Sequence, residues 1–134
     1  MNFLVLTTLP HFISILPIIP TKNYDLVWYI IIILTSSILS VLYHSISENL
    51  ENYVSYKLIS VLDYAMAFIW FLYDVYLGCM ISMSTMITFI FYNLISYIIH
   101  QRCQTGIRHC IWHLINAYKC FYISEMIRKS IIYF

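Results

Sequence analysis

The class of fold is decided by residues 26–46, which read LVWYIIIILTSSILSVLYHSI. This stretch carries no fixed charge, and Ile30–Ile33 form its most apolar part. A helix of about 20 apolar residues is long enough to cross the hydrocarbon core of a bilayer. The stretch ends with Ser40 and His44, which are one helical turn apart. The sequence therefore predicts a membrane-spanning helix with a polar patch near one end.

The composition of the whole chain agrees with this prediction. Of the 134 residues, 62% are apolar and 10% are charged, which is typical of an integral membrane protein and not of a soluble domain. A chain of this length has no room for a second domain, so residues 1–134 are expected to form a single transmembrane domain. Seven Lys and Arg against six Asp and Glu leave no basic patch, which excludes nucleic acid as a partner. The four cysteines form no Cys-x-x-Cys pair and predict reduced, buried thiols.

Polar breaks divide the rest of the chain into further apolar segments. The segment from Leu58 to Ile99 is too long for one crossing, and Asp74 and Gly78 are its only turn-like residues. We therefore expect an all-α bundle of four or five transmembrane helices. The expected breaks lie near Thr21–Tyr24, Ser47–Lys57, Asp74–Gly78 and His100–Gly106, and the expected helices are residues 3–19, 26–46, 58–76, 79–99 and 107–123.

The first segment, Phe3–Ile19, has two interpretations. It contains Pro10 and Pro17, each of which removes a helix hydrogen bond, and a cleaved signal peptide is the alternative to a retained helix. The segment has no charged n-region and no small-x-small cleavage site before the polar residues that follow it. We therefore expect a kinked first helix that is retained.

Two histidines stand out in the last apolar segment. His109 and His113 are four residues apart, so on a helix they share one face. An imidazole in hydrocarbon is costly and is normally turned toward a partner, so a stacked pair indicates a third group. A metal ion is the partner that we predict.

Two upstream clusters are expected to reach the same place as this pair. Successive membrane helices alternate in direction, so the end of the second helix and the starts of the third and last helices lie at one membrane face. At about 1.5 Å per residue, the polar side chains near those ends lie within roughly 10 Å of that face. These side chains are Ser40, His44, Asp63, His109 and His113.

Each cluster also has an ordinary structural explanation. A lone histidine near a helix end, such as His44, is more often an interfacial or hydrogen-bonded residue than a ligand, and His11 and His100 are interpreted in that way. Histidine pairs also arise as hydrogen bonders between helices. Asp63 is interpreted as a functional residue, because a carboxylate within a membrane span is costly and usually serves a function. Asp74 is expected at the opposite interface without a role.

The three clusters follow one another as Ser40-x-x-x-His44, then Asp63 early in the next helix, then His109-x-x-x-His113 opening the last helix. This ordered set resembles the signature of the CREST superfamily of seven-helix membrane hydrolases. That group includes the alkaline ceramidases, the progestin and adipoQ receptors with the hemolysin III proteins, and the myomaker-like proteins. The string HCIWHL at residues 109–114 is similar to the ceramidase and myomaker-like branches, whereas Tyr-His-Ser followed by Leu-Asp-Tyr is similar to the hemolysin III side. The branch stays open.

The resemblance implies a zinc-dependent membrane hydrolase. Zinc would be held by His44, His109 and His113, with Asp63 and Ser40 beside the water that the metal activates. The residue types suit these roles, because catalytic zinc favours imidazole and three protein ligands. A substrate that reaches this depth from the bilayer would be a lipid amide or ester.

The chain departs from the family in length. Between Asp63 and His109 it has room for one returning helix, where the family has three more helices before its last. Losing two helices preserves the alternation of direction, so the site can still assemble, but it removes walls of the substrate cavity. The chain is therefore a minimised enzyme, a homo-oligomer that supplies the missing walls, or a degenerate relative.

Two other classes of function stay open. A bis-histidine haem protein would place His44 opposite His109 or His113 across the bundle, but it gives Asp63 and Ser40 no role. In a non-enzymatic membrane interaction protein, the histidines would only form hydrogen bonds with one another. Membrane lipids are the expected partners in every case.

Overall fold

The computed structural model describes residues 3–20, 24–46, 53–103 and 106–131, and these residues form an all-α bundle without a strand. This confirms the expected class of fold. The elements are α1 (Phe3–Thr8), a 3₁₀ helix (Leu9–Ile15), α2 (Tyr24–Ile46), α3 (Tyr53–Ile81), α4 (Met83–Arg102) and α5 (Gly106–Ile131). Of the other expected breaks, Thr21–Tyr24, Ser47–Lys57 and His100–Gly106, residues 21–23, 47–52 and 104–105 lie outside the described residues. The described parts are mostly helical, because α3 already begins at Tyr53 and α4 continues to Arg102.

The N-terminal segment differs from the single kinked helix expected over residues 3–19. The α-helix ends at Thr8, and Pro10 lies in the first turn of the 3₁₀ helix that follows. A proline is tolerated there because the first turn of a helix leaves its backbone N–H groups unbonded in any case. The segment packs against α5, and its apolar helical part is too short to cross a bilayer.

The break between α3 and α4 lies at Ser82, so the expected position near Asp74–Gly78 is wrong. Ser82 has extended backbone angles, and its Oγ accepts a hydrogen bond of 3.1 Å from the backbone N–H of Thr85. This is the geometry of a helix N-cap, which serine favours. Asp74 and Gly78 both lie inside α3 and are buried, because each serves a contact with another helix.

Gly78 allows α3 and α4 to approach closely beside this break. A Cβ atom at position 78 would lie 2.8 Å from Met86 Cα and 3.0 Å from a ring carbon of Phe89. Neither the backbone of α4 nor the fully buried Phe89 ring can move without cost. The glycine is therefore needed for packing and not for a turn.

Replacing Gly78 with Leu is expected to destabilise the protein by about 3 kcal/mol or more, because the added side chain overpacks the contact with α4. The matched control is Ala65→Leu, which places the same final side chain at an exposed position of α3. Thermal unfolding in detergent should show a lower Tm for Gly78→Leu and little change for Ala65→Leu. Equal Tm values for the two variants would contradict the close contact.

Among the described residues, three helices are long and apolar enough to cross a membrane, namely Leu26–Ile46, Tyr56–Ile81 and Met83–Arg102. The last helix was expected to end near residue 123, but α5 continues to Ile131 and includes Glu125, Arg128 and Lys129. It is long enough to span a bilayer, but its polar side chains make it less apolar than the other three. The described residues thus contain four long helices, in agreement with the expected bundle of four or five, and three of them are apolar spans.

The buried core shows that the long helices alternate in direction. It combines the first half of α2 with the second halves of α3 and α5 and the first half of α4. One end of the bundle is therefore filled with packed side chains. The opposite end contains the end of α2 and the start of α5, and it surrounds a cavity. The core residues are Ile15, Ile18, Leu26, Tyr29, Ile33, Trp70, Leu77, Phe89, Cys120, Ile123 and Ile127.

Candidate metal centre

Three histidines from two helices converge at the cavity end of the bundle. His44 lies in the last turn of α2, and His109 and His113 lie in the first two turns of α5. The Nε2 atom of His44 is 2.9 Å from Nε2 of His113 and 3.4 Å from Nε2 of His109. All three side chains are buried, and each offers one nitrogen to a group whose ligand atoms lie within 4.8 Å of one another. The predicted convergence is confirmed, and this group can hold a metal ion.

The hydrogen bond of the His109 ring fits a metal ligand. Nδ1 of His109 lies 3.0 Å from the carbonyl oxygen of Cys103. A carbonyl can only accept, so Nδ1 donates and the neutral ring presents a lone pair at Nε2, where it faces His44. Metal-bound histidines commonly donate their second nitrogen in this way, which fixes the tautomer. Cys103 therefore orients a ligand through its backbone.

The spacing of the nitrogens also suits a tetrahedral ion. Bonds of 2.0–2.1 Å at tetrahedral angles place two ligand nitrogens about 3.4 Å apart. The distance between His44 and His109 equals this value, and the distance between His44 and His113 is 0.5 Å shorter (3.4 against 2.9 Å). Nitrogens in such direct contact leave no room for a porphyrin plane between them, so the geometry does not favour the bis-histidine haem alternative.

The histidines form part of the wall of a cavity of about 660 Å³. Ser40 of α2 and Asp63 of α3, the other two candidate site residues, lie on the wall of the same cavity, and both are half-buried. Much of the wall is apolar, with Phe68 and Phe71 of α3 and Leu94 of α4 among its members. The structure thus brings all five candidate residues to one cavity.

His11 is a residue at this centre that sequence reasoning missed. Its Nδ1 donates to the carbonyl oxygen of Thr8 at 2.9 Å, so its Nε2 accepts from Asn116 Nδ2, also at 2.9 Å. The ring is buried and lies edge-on to that of His113, with 5.7 Å between centroids. Because His11 and Asn116 are 105 residues apart, no local pattern in the sequence could have revealed this contact.

His100 was interpreted as an ordinary interfacial residue, but it too lies on the cavity wall. Its ring centroid is 4.5 Å from that of Trp112 and 5.7 Å from that of His109. It is not a member of the metal-ligand group. Cys110, which lies between the two histidines of α5, is buried and also outside that group. All four cysteines are free thiols, as expected, but only Cys110 and Cys120 are buried, whereas Cys103 is partly exposed and Cys79 is exposed.

Asp74 was expected at an interface without a role, and this expectation is wrong. Its side chain is completely buried in α3. The hydroxyl of Tyr29 donates to Oδ1 at 2.5 Å, and Asn93 Nδ2 donates to Oδ2 at 2.9 Å. The indole N–H of Trp70 in turn donates to the Tyr29 oxygen at 3.3 Å. A carboxylate in the bundle interior is therefore satisfied by donors from α2 and α4.

Lys119 of α5 completes this network. Its Nζ donates to Oδ1 of Asn93 at 2.8 Å, so the Asn93 amide connects the ammonium group with the Asp74 carboxylate. Asn93 and Lys119 also lie on the cavity wall. Sequence reasoning had assigned Lys119 no role beyond counting its charge. A spacing of six residues from His113 does not place the two side chains on one helix face, so no local pattern indicated this position.

Comparisons with protein-family models, with curated proteins and with solved structures find no match to this chain. What the protein does must therefore be inferred from the chemistry of its site. That site combines three converging imidazoles, a carboxylate and a hydroxyl on the wall of a largely apolar cavity.

Proposed function

We propose that this chain is a multi-pass membrane protein that binds one zinc ion through His44, His109 and His113 and hydrolyses a lipid amide or ester. The observation that carries the proposal is the convergence of three buried imidazoles on the wall of a cavity that also contains Asp63. The order of these residues resembles the signature of the CREST hydrolases, and the arrangement of their side chains is compatible with the same chemistry.

The surface of α3 and α4 supports a membrane location. In the most apolar part of each helix only 11% of the residues are buried inside the protein, against 33% in α2. Leu72, Phe91 and Tyr97 are among the large apolar side chains exposed there. Apolar surface of this extent needs a cover other than water, and lipid hydrocarbon provides one along the length of both helices.

Zinc is the metal that best matches the ligands. Imidazole suits several transition metals, but three protein ligands with room for one further group are typical of catalytic zinc. When bound, such an ion lowers the pKa of a coordinated water toward about 7 and polarises a carbonyl oxygen. His109 is already held in the required tautomer by the Cys103 carbonyl.

In this proposal Asp63 transfers the proton, and Ser40 stabilises the oxyanion or orients Asp63. Asp63 accepts a proton from the attacking water and passes it to the leaving nitrogen or oxygen, so that water adds across the acyl bond and yields an acid and an amine or alcohol. Ser40 lies one helical turn before His44, where its hydroxyl can donate to the substrate oxyanion or to Asp63. Both act from the cavity wall.

The cavity fits a lipid chain. Its volume of about 660 Å³ lies within the range of small-molecule sites, and Phe68, Phe71 and Leu94 give it an apolar surface. A substrate amide or ester at the histidines would leave its acyl chain against these side chains.

Replacing Asp63 with Asn is expected to retain one zinc per chain and to lower hydrolysis of lipid amides or esters by about 10²–10⁴-fold, the usual contribution of a general base. Glu125→Gln is the matched control, because it removes a carboxylate from α5 at an ion pair with Arg128 instead of at the cavity. Elemental analysis and product quantification by mass spectrometry on purified protein test both variants.

Three outcomes would contradict the proposal or a part of it. A folded wild-type preparation without zinc would contradict the metal site. A non-enzymatic interaction protein would then be the better explanation of the histidines. If the protein contains zinc but hydrolyses no compound in a panel of lipid amides and esters, the protein binds metal but the hydrolase activity is contradicted. Equal activity in Asp63→Asn and the wild type would remove the assigned role of Asp63.

A further inference from the structure

The cavity has a second polar group at a distance from the histidines. Lys119 lies on its wall six residues after His113, which is about 9 Å farther along α5. Apolar side chains such as Phe71 and Ile90 line the same cavity. A ligand with its reacting carbonyl at the histidines can therefore reach a second polar side chain, Lys119, on the same wall.

The network behind Lys119 holds this side chain in place. Asn93 accepts a hydrogen bond from one of the three N–H groups of Lys119 and in turn donates to the fully buried Asp74. Asp74 accepts its own hydrogen bonds from Tyr29 and Asn93 and does not lie on the cavity wall. Lys119 also makes a hydrogen bond with the thiol of Cys120, which leaves its third N–H group for a ligand inside the cavity.

A plain hydrocarbon chain is a poor partner for this wall. It would displace water from an ammonium group and offer no acceptor in return, which leaves buried donors unpaired. Sites built to hydrogen-bond a polar group reject analogues that lack it for this reason. Asp63, a carboxylate on the cavity wall, lies in the first half of α3 at the histidine end of the bundle and would repel an anion placed there.

We infer that Lys119 and Asn93 form a second subsite that binds a carboxylate at the far end of the ligand's acyl chain. The inference rests on the proposed function and narrows it, since the substrate becomes an ester or amide whose acyl chain ends in a carboxylate roughly 9 Å from the scissile carbonyl. Lys119 pairs with the anion, and the intervening methylene groups lie against Phe71 and Ile90.

Binding to metal-free protein tests the subsite without hydrolysis. The probes are the monododecyl ester of octanedioic acid, whose extended diacid matches the spacing, and the same compound with its free carboxyl methylated. Trp70 and Trp112 lie on the cavity wall, so tryptophan fluorescence in lipid nanodiscs reports occupancy. The wild type is expected to bind the acid about tenfold more tightly than its methyl ester, as for a hydrogen bond to a charged group.

The variants assign this preference to one side chain. Lys119→Gln keeps a donor for Asn93 without the charge and should bind both probes equally, whereas Lys119→Arg should keep the preference. Lys129→Gln, at an exposed position of the same helix, is the matched control and should behave as the wild type. Should Lys119→Gln fail to fold, the wild type and Lys119→Arg decide the question with the same two probes.

A wild type that binds both probes equally would overturn the subsite, and so would a preference that survives in Lys119→Gln. Either result leaves the zinc proposal standing, because the titrations use chelated protein. A wild-type protein that contains no zinc when it is purified, before any chelation, and that prefers the acid would overturn the hydrolase and leave the carboxylate subsite in place. Either proposal can therefore be overturned while the other one stands.

Discussion

Replacing His113 with Ala is expected to abolish stoichiometric zinc binding. His113 is the most deeply buried of the three ligands, and its Nε2 atom is 2.9 Å from that of His44. Two imidazoles cannot complete a site for which three protein ligands are typical. Affinity should fall by more than about 100-fold, which exceeds the effect of changing a residue that only supports a ligand. Elemental analysis after extensive dialysis measures the loss.

His100→Ala is the control for this experiment. His100 lies on the same cavity wall and its ring is near that of His109, but it is not a member of the ligand group. It should retain one zinc per chain. Cobalt substitution gives a second readout, since the absorption bands of tetrahedral cobalt should be present in the wild type and His100→Ala and absent in His113→Ala. Full zinc occupancy in His113→Ala would contradict the assigned ligand set.

The sequence was sufficient for the parts of the site that depend on helix geometry. The spacing of His109 and His113 fixes a shared face on any helix, and alternation of helix direction brings that face to the end of α2 where His44 lies. Neither of these two inferences depends on the exact residue at which a helix begins. For this reason the convergence is confirmed even though α3 continues to Ile81, beyond the expected break.

Contacts between distant parts of the chain could not be predicted in this way. The N-terminal segment was treated as a span because of its length, whereas its 3₁₀ helix packs against α5 and places His11 beside His113. Such packing depends on which surfaces fit together in three dimensions. The break at Ser82 is a different kind of miss, because Ser82-x-x-Thr85 is a local capping pattern that the search for glycine and charge passed over.

Asp74 shows why a charged residue alone does not mark the end of a membrane span. A lone acid between apolar residues looks like the end of a span, because burying an unpaired carboxylate is costly. The cost is offset here by Tyr29, Asn93 and Lys119, which come from three other helices. These partners are between 19 and 45 residues away from Asp74, so the sequence around it gives no sign of them.

Replacing Asp74 with Asn is expected to lower the free energy of unfolding by about 3–5 kcal/mol, the usual cost of breaking a buried ionic network by removing one partner. Asparagine can still accept from Tyr29, but its amide turns a donor toward the Asn93 donor and leaves Lys119 without a counter-charge. Unfolding in mixed micelles, followed by the fluorescence of Trp70, measures the change.

A double-mutant cycle separates this network from a local packing defect. The variant that combines Asp74→Asn with Lys119→Met has no unpaired charge, so it should be more stable than the sum of the two single changes predicts. Asp63→Asn, at a half-buried position on the cavity wall, is the matched control and should cost much less. Strict additivity of the two changes would show that Asp74 and Lys119 are not coupled through Asn93, and a native free energy of unfolding in Asp74→Asn would show that the carboxylate charge is not needed for the fold.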